Sequence, residues 1–366
     1  MTRIVLVTTQ VAPFQVELAA AVNGLSGVDY HVLFTRKENQ RPPHWLDLGD
    51  KIAKYSTIVP ANCETEAQTQ SWALEQLEAL KPDIILIGGI RNLPFKIGQA
   101  YEGRAKIGLW MEPPLRQTNS LKKLLRRLDY KWRLGKVDFA LAIGDRAHAY
   151  YRGCNRNTHF VPYGSDLSAC LDLPLPKPKG KIIKFVFSGG LHKRHNFPVI
   201  MKGFEDLLAQ RGPCFEFIIS GNGPEQKVID AAIARTPALK DVIRYERVFS
   251  NWTQRLDPFL EAHVFVYPTN HAGWGLVVPE AMAAGNLVIS TSGAESARYL
   301  ITPEHDGVII APELKAFTQT LLRCVDERQW VEDMGIKARE SSRRCHGDYV
   351  AQQLMNVLRI ATGPVK

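Results

Sequence analysis

Residues 263–290 constrain this chain more than any other stretch. They open on an apolar run, His263-Val264-Phe265-Val266-Tyr267, the pattern of a strand buried on both faces. Pro268-Thr269-Asn270-His271-Ala272-Gly273-Trp274-Gly275 follows as a glycine-bearing loop. A helix is predicted over 276–284, and Gly285 is a natural stop for it. Leu287-Val288-Ile289-Ser290 reads as the next strand. Strand, loop, helix and strand in that order put the loop at the carboxyl end of a parallel strand, the edge at which open α/β sheets bind ligands. Gly273 and Gly275 let backbone N–H groups approach a ligand closely, and a helix start behind them favours an anion. Glu280, one turn into the helix, can accept hydrogen bonds from a pair of ligand hydroxyls.

The same alternation runs through the chain. Strands are predicted at 3–9, 30–35, 83–89, 106–111 and 138–144 in the first half, with helices at 15–23 and 67–80. The second half has strands at 182–188, 215–220, 242–245, 263–267 and 287–290, then successive helices over 317–360. Such alternation predicts doubly wound parallel sheets, and 366 residues suit two domains. The proline- and lysine-rich run 173–180 reads as the linker between them.

Pro268, Gly273, Trp274, Gly275, Leu276, Glu280, Ala281, Met282, Ala283 and Gly285 resemble the signature of the retaining glycosyltransferases of family 4, which have the GT-B fold. That signature is Pro-Ser, a Glu, Gly-aromatic-Gly-Leu, Glu-Ala-Met-Ala and Gly-x-Pro-Val. The family's two glutamates are eight positions apart; the second is Glu280, and the first falls on Ala272. In the family the first contacts the transferred sugar and the second the nucleotide ribose. The resemblance implies an α/β fold of two Rossmann-like doubly wound parallel-sheet domains facing a central cleft. Residues 1–170 would bind the acceptor, 171–181 link, and 182–345 bind the nucleotide sugar. Residues 346–366 would return as a helix to the first domain. Val161-Pro162-Tyr163-Gly164-Ser165-Asp166 resembles, with tighter spacing, the family's turn that closes the first domain.

The remaining candidates follow strands. Ser188-Gly189-Gly190-Leu191-His192-Lys193-Arg194-His195 stands where the family has Gly-Arg and then a Lys that hold the donor diphosphate. Gly190 replaces the arginine, so Lys193, Arg194 or His195 must supply the cation, and Arg194 aligns best. A leaving diphosphate needs fixed positive charge, although such a run can also be a solvated basic loop. Gly221-Asn222-Gly223-Pro224 matches the family's Gly-x-Gly-Pro, either as a nucleotide contact or as a tight βα turn. Val248 and Phe249 fall where the family holds the base. Glu112, beside Trp110 and Pro113, is the acceptor-side candidate, with Asp145 and Arg146 weaker ones of its kind; each also reads as a loop residue without chemistry. The loop 10–15 has no ionisable side chain and is assigned contact only. His271 or Asn270 can stand in for the glutamate missing at 272.

The resemblance thus implies catalytic roles for Glu112, Lys193, Arg194 and His271. Gly189, Gly190, Arg194, Gly221, Val248, Phe249, Gly273, Trp274, Gly275, Leu276 and Glu280 would hold a UDP- or GDP-sugar. His148, His159 and His346 lack metal-ligand spacing, and the family generally uses no catalytic metal, so neither metal nor other cofactor is expected. Two rivals are a GT-B sugar-nucleotide epimerase, which has no acceptor, and a non-catalytic sugar-nucleotide-binding protein, suggested by Ala272 and Gly190.

The formal net charge is +9, and seven cations against Asp129 put +6 of it into residues 121–136. Leu121, Leu124, Leu125, Leu128 and Trp132 form a helical stripe there, with Asn119 or Ser120 to cap it. That pattern suits an interfacial helix on an anionic membrane; it equally suits a helix pressing its stripe into a core, and no nucleic-acid module accompanies it. No run reaches the roughly 20 apolar residues of a membrane span, the N-terminus enters a strand at once, and six scattered cysteines read as reduced thiols. The expectation is a cytoplasmic protein, peripheral on the inner face of the plasma membrane, acting on a glycan or lipid-linked acceptor in bacterial surface-polysaccharide or glycolipid assembly.

Overall fold

The computed structural model describes residues 1–37, 50–90, 93–114, 119–174, 182–246 and 251–363. The chain divides into two compact units, Met1–Asp166 with Gly347–Lys366, and Leu167–His346. Of the expected linker, Leu171 closes the helix Ser168–Leu171, and Arg339 donates to the carbonyls of Cys170, Leu171 and Leu173. Residues 175–181 lie outside the described residues.

Among the described residues the first unit holds seven strands: β1 (Thr2–Thr8), β2 (Val28–Phe34), β3 (Ser56–Ile58), β4 (Ile84–Gly88), β5 (Lys106–Met111), β6 (Phe139–Ala142) and β7 (Thr158–Phe160). They pair in parallel in the order β3-β2-β1-β4-β5-β6-β7. The described residues of the second unit hold six: β8 (Ile183–Ser188), β9 (Phe215–Ser220), β10 (Ile243–Glu246), β11 (Val264–Tyr267), β12 (Leu287–Thr291) and β13 (Val308–Ile310). Their order is β10-β9-β8-β11-β12-β13, again parallel. Unbroken apolar runs such as 4–7, 84–87, 185–187, 264–266 and 287–289 are buried throughout, as strands covered on both faces by helices must be.

Each sheet grows outward in both directions from its first strand, so the order reverses between β1 and β4 and between β8 and β11. At such a switch point the flanking βα loops diverge and leave a crevice. In the first unit the closing helix Gly347–Thr362 buries Val350, Ala351, Leu354, Met355 and Leu358. It packs on the helix Pro13–Asn23. The Gly347 N–H donates to Ser165 O at 2.9 Å, which ties its start to the 161–166 turn.

The helix expected in the basic segment spans Ser120–Leu134, and Asn119 caps it by accepting from the Lys122 N–H at 3.0 Å. Its orientation excludes the core-facing reading. Leu134 is buried, while Leu121, Leu124, Leu125, Leu128 and Trp132 all stand exposed. What docks on the unit is the opposite face. Tyr130 packs against the rings of Tyr150 and Tyr151, and Arg133 lies over Phe95 and donates to Ile90 O.

Candidate functional site

Because all six strands of the second sheet run the same way, the loops after β8, β9, β11 and β12 share one edge. The loop after β8 is welded to the loop after β9: the Gly189 N–H donates to Ser220 O, the Leu191 N–H to Asn222 O, and the Glu225 N–H to Leu191 O, at 2.8–3.0 Å. A Cβ on Gly221 would come within 1.9 Å of Gly189 O. The glycine at 221 is therefore required by close loop packing. After β8 the chain makes a 3₁₀ turn, Lys193–His195, and enters the helix Phe197–Arg211.

The loop after β11 reaches across the switch point to that turn. The Asn270 N–H donates to Arg194 O at 2.7 Å, and the hydroxyl of buried Thr269 donates to the same oxygen at 3.1 Å. The far side of the loop rests on the turn after β12. The Ala272 N–H donates to Gly293 O at 3.0 Å, and a Cβ on Gly293 would come within 2.1 Å of Thr269 O. Ser296 then takes two carbonyls at once, its hydroxyl lying 2.9 Å from Trp274 O and 2.8 Å from Gly275 O. A trans peptide directs its N–H opposite to its C=O. With both carbonyls drawn to Ser296, the N–H groups of Gly275 and Leu276 are turned away from it, and neither has a partner among the described residues.

The helix that follows is Val277–Ala283, one residue inside each predicted end. It carries Glu280, whose side chain is buried. Arg255 donates from Nε to Glu280 Oε1 at 3.0 Å. It comes from the 3₁₀ turn Trp252–Leu256, lies 4.4 Å from the Trp252 ring centroid and donates to Trp252 O. Both partners are almost wholly buried. Removing one member of such a pair strands the other's charge, a cost of about 3–5 kcal/mol, so the arginine fixes where this carboxylate sits.

Three sequence expectations change here. His195 does not supply a cation. It is buried between Phe187 and Tyr267, at 5.5 and 5.0 Å, and burial, with Arg194 and His192 adding to it, pulls its pKa from 6.5 to about 3. Arg194 donates from Nε to His195 Nε2 at 3.2 Å; since an arginine only donates, the ring is neutral with its proton on Nδ1. Lys193 and Arg194, both exposed, remain as cations of this turn. Trp274 has its indole in the core beside Tyr299, so only its backbone is left for a ligand. At Gly190 a Cβ would lie 2.6 Å from His192 Nε2: the His192 ring fills the space where the family's arginine side chain would begin.

Gly189, Gly190, Lys193, Arg194, Gly221, His271, Gly273, Gly275, Leu276 and Glu280 are thus brought to one edge of the second sheet or just beneath it. Val248 and Phe249 lie outside the described residues. Glu112 belongs to the first unit; its side chain is exposed and its carbonyl accepts from the Tyr151 hydroxyl at 2.5 Å. Asp145 and Arg146 open the helix Asp145–Arg152. Among the described residues no group of three or more His, Cys, Asp or Glu could hold a metal ion. Sequence reasoning missed His192, Arg255 and Ser296. Only Arg255 left a trace, as a cation in an otherwise neutral turn.

Residues 175–341 match the family model described as Glycosyl transferases group 1. No curated protein matches the sequence. Among solved structures, HepE of Anabaena in complex with UDP and glucose is similar at 13% identity and a TM-score of 0.75, over 98% of this chain and 100% of that one. The sucrose-phosphate synthase of Thermosynechococcus elongatus is similar at 16% identity and a TM-score of 0.71, over 99% of both chains. The lipopolysaccharide outer core galactosyltransferase WaaB, in its apo form, is similar at 14% and 0.70, over 98% of this chain and 99% of that one. These likenesses establish the fold: two parallel-sheet α/β domains, of seven and six strands, in the GT-B class.

The state of His195 has a measurable consequence. Its ring is neutral in the folded chain and gains a proton on unfolding below pH 6.5. Its contribution to stability is complete above pH 6.5 and is lost as the pH falls toward 3, with a slope of about 1.4 kcal/mol per pH unit for one proton. His195→Phe keeps a ring of similar size between Phe187 and Tyr267. In urea titrations this variant should lose about 2 kcal/mol less than wild type between pH 6.5 and 5. Equal losses would contradict a neutral buried ring.

Proposed function

We propose that this chain is a retaining glycosyltransferase of family 4 that moves a hexosyl group from a nucleoside-diphosphate sugar to an acceptor hydroxyl. The observation that carries this reading is the shared carbonyl of Arg194. It draws the diphosphate-loop candidates after β8 against the signature loop after β11 at the switch point of the second sheet. The match of residues 175–341 to the glycosyl transferase model falls on that same unit.

In this reading Glu280, oriented by Arg255, accepts the ribose hydroxyls. The N–H groups of Gly275 and Leu276, with Lys193 and Arg194, meet the diphosphate. Donors held in advance where charge develops stabilise a leaving group without reorganisation. The sugar's C1–O bond to the diphosphate breaks and a C1–O bond to the acceptor forms on the same face. The acceptor proton passes to the departing phosphate oxygen, so retention needs no covalent enzyme intermediate. His271 replaces the absent glutamate at the sugar, and Glu112 with the loop 10–15 is assigned to the acceptor. The donor is a UDP- or GDP-sugar; the UDP bound by HepE favours the uridine nucleotide as the first to test. No metal is part of this scheme, because the two cations and the backbone donors carry the diphosphate charge. We place the protein at the cytoplasmic face of the plasma membrane, with a glycan or lipid-linked acceptor of surface-polysaccharide or glycolipid assembly.

A second reading, a non-catalytic sugar-nucleotide binder, has one observation in its favour. Position 272 holds a buried methyl group whose N–H is already committed to Gly293, where the family has a carboxylate for the sugar.

A thermal-shift screen over UDP-, GDP-, ADP- and dTDP-sugars tests the common premise, since a ligand that binds only the native state raises the melting temperature. A shift with one nucleotide is expected, and none with any would overturn both readings. His271→Ala should then lower donor turnover about ten- to a hundredfold, the worth of one strong hydrogen bond, while leaving affinity for the bare nucleotide near wild type. The binder reading wins if wild type binds nucleotide but turns over no donor, while Ala272→Glu gains activity.

A further inference from the structure

The helix Ser120–Leu134 presents its apolar residues on the wrong side for a folded domain. On a helical wheel Leu121, Leu124, Leu125, Leu128 and Trp132 fall within an arc of about 100°. Tyr130, Arg133 and Leu134, which meet the body of the unit, lie on the face roughly opposite. The five stripe residues are each 54–64% exposed. Of the twelve large hydrophobic side chains exposed among the described residues, these are five, and no other element carries more than two. Single exposed hydrophobics are ordinary; a contiguous row marks a surface that something covers.

The charges say what covers it. Lys122, Arg127 and Lys131 stand exposed on the flanks of the stripe, and Asp129, the segment's one acid, pairs with Arg133 at 2.8 Å. Lys136, one turn beyond, sits 4.0 Å from the centroid of the exposed Trp132 ring. The apolar row thus looks outward between cations. At fifteen residues the helix is about 22 Å long, too short for the roughly 30 Å of a bilayer core, and no helix of the described residues is long and apolar enough to cross a membrane. A second copy laid on the stripe would bring basic flank against basic flank. A nucleic-acid backbone would leave the leucines with no partner.

We infer that Ser120–Leu134 is a membrane-docking helix that lies in the plane of an anionic lipid surface, with Leu121, Leu124, Leu125, Leu128 and Trp132 among the acyl chains and Lys122, Arg127, Lys131 and Lys136 at the headgroups. Interfacial helices bind by this combination of buried apolar area and attraction to anionic lipid. The inference concerns the first unit alone and stands whether or not the second unit transfers a sugar.

The test is co-sedimentation of the full chain with phosphatidylcholine vesicles, with and without phosphatidylglycerol. Wild type should bind only the vesicles that contain phosphatidylglycerol and leave them as salt rises. Arg127→Gln with Lys131→Gln should weaken binding about 25-fold, or fivefold per cation. Leu124→Ser with Leu128→Ser should abolish it. Both pairs alter solvent-facing side chains, so circular dichroism and melting temperature should match wild type. Absence of wild-type binding to anionic vesicles would overturn the inference, as would binding that neither pair weakens. A chain that sediments as a dimer, and becomes monomeric with the leucine pair replaced, would assign the stripe to a second copy instead.

Discussion

One backbone oxygen organises the second unit's binding edge. Arg194 O is the meeting point of the turn after β8 and the loop after β11, accepting from both the Asn270 N–H and the Thr269 hydroxyl. A carbonyl has two lone pairs, so this one joins two strands that are adjacent in the sheet but far apart in sequence. Around it the loops close on each other at distances that exclude side chains: Gly221 against Gly189, and Gly293 against Thr269. The switch point supplies the crevice, and these contacts hold its rim.

Two further devices decide what the crevice presents. Ser296 draws the carbonyls of Trp274 and Gly275 inward and so turns the adjoining amides outward. Arg255 holds one oxygen of Glu280 in a buried pair. Such a pair contributes little net stability and is costly to break; what it gives here is a carboxylate with a fixed position. Donor N–H groups and an oriented carboxylate are the complementary halves needed for a diphosphate and a pair of hydroxyls. Lys193 and Arg194 supply charge from the neighbouring turn, and neutral His195 packs beneath them between two aromatic rings.

Much of this was legible in the sequence. Strands such as β5 and β9 were located to the residue because short, mainly apolar runs, 107–111 and 217–219, have one comfortable place, a covered parallel sheet. Strands β3, β7 and β13, of three residues each, went unread, since three residues carry no period. The helix 120–134 was found and its cap anticipated, but a hydrophobic stripe shows only that a helix has two faces, and here tyrosine, arginine and leucine dock it while leucines face out. At the site, Trp274 fits the signature by residue type while its indole serves the core. His192 was invisible because the space it fills belongs to a missing side chain at Gly190. Arg255, twenty-five residues before its partner, is joined to Glu280 only by the fold.

The central claim is that the loop after β11 and the helix behind it form a sugar-nucleotide site. The crystal structure of the chain with the nucleotide it binds most tightly tests this most directly. The account expects ribose hydroxyls within about 2.6–3.2 Å of the Glu280 carboxylate, with diphosphate oxygens against the N–H groups of Gly275 and Leu276 and beside Lys193 or Arg194. A nucleotide bound elsewhere, with no ribose hydroxyl at Glu280 and the loop after β11 empty, would contradict it.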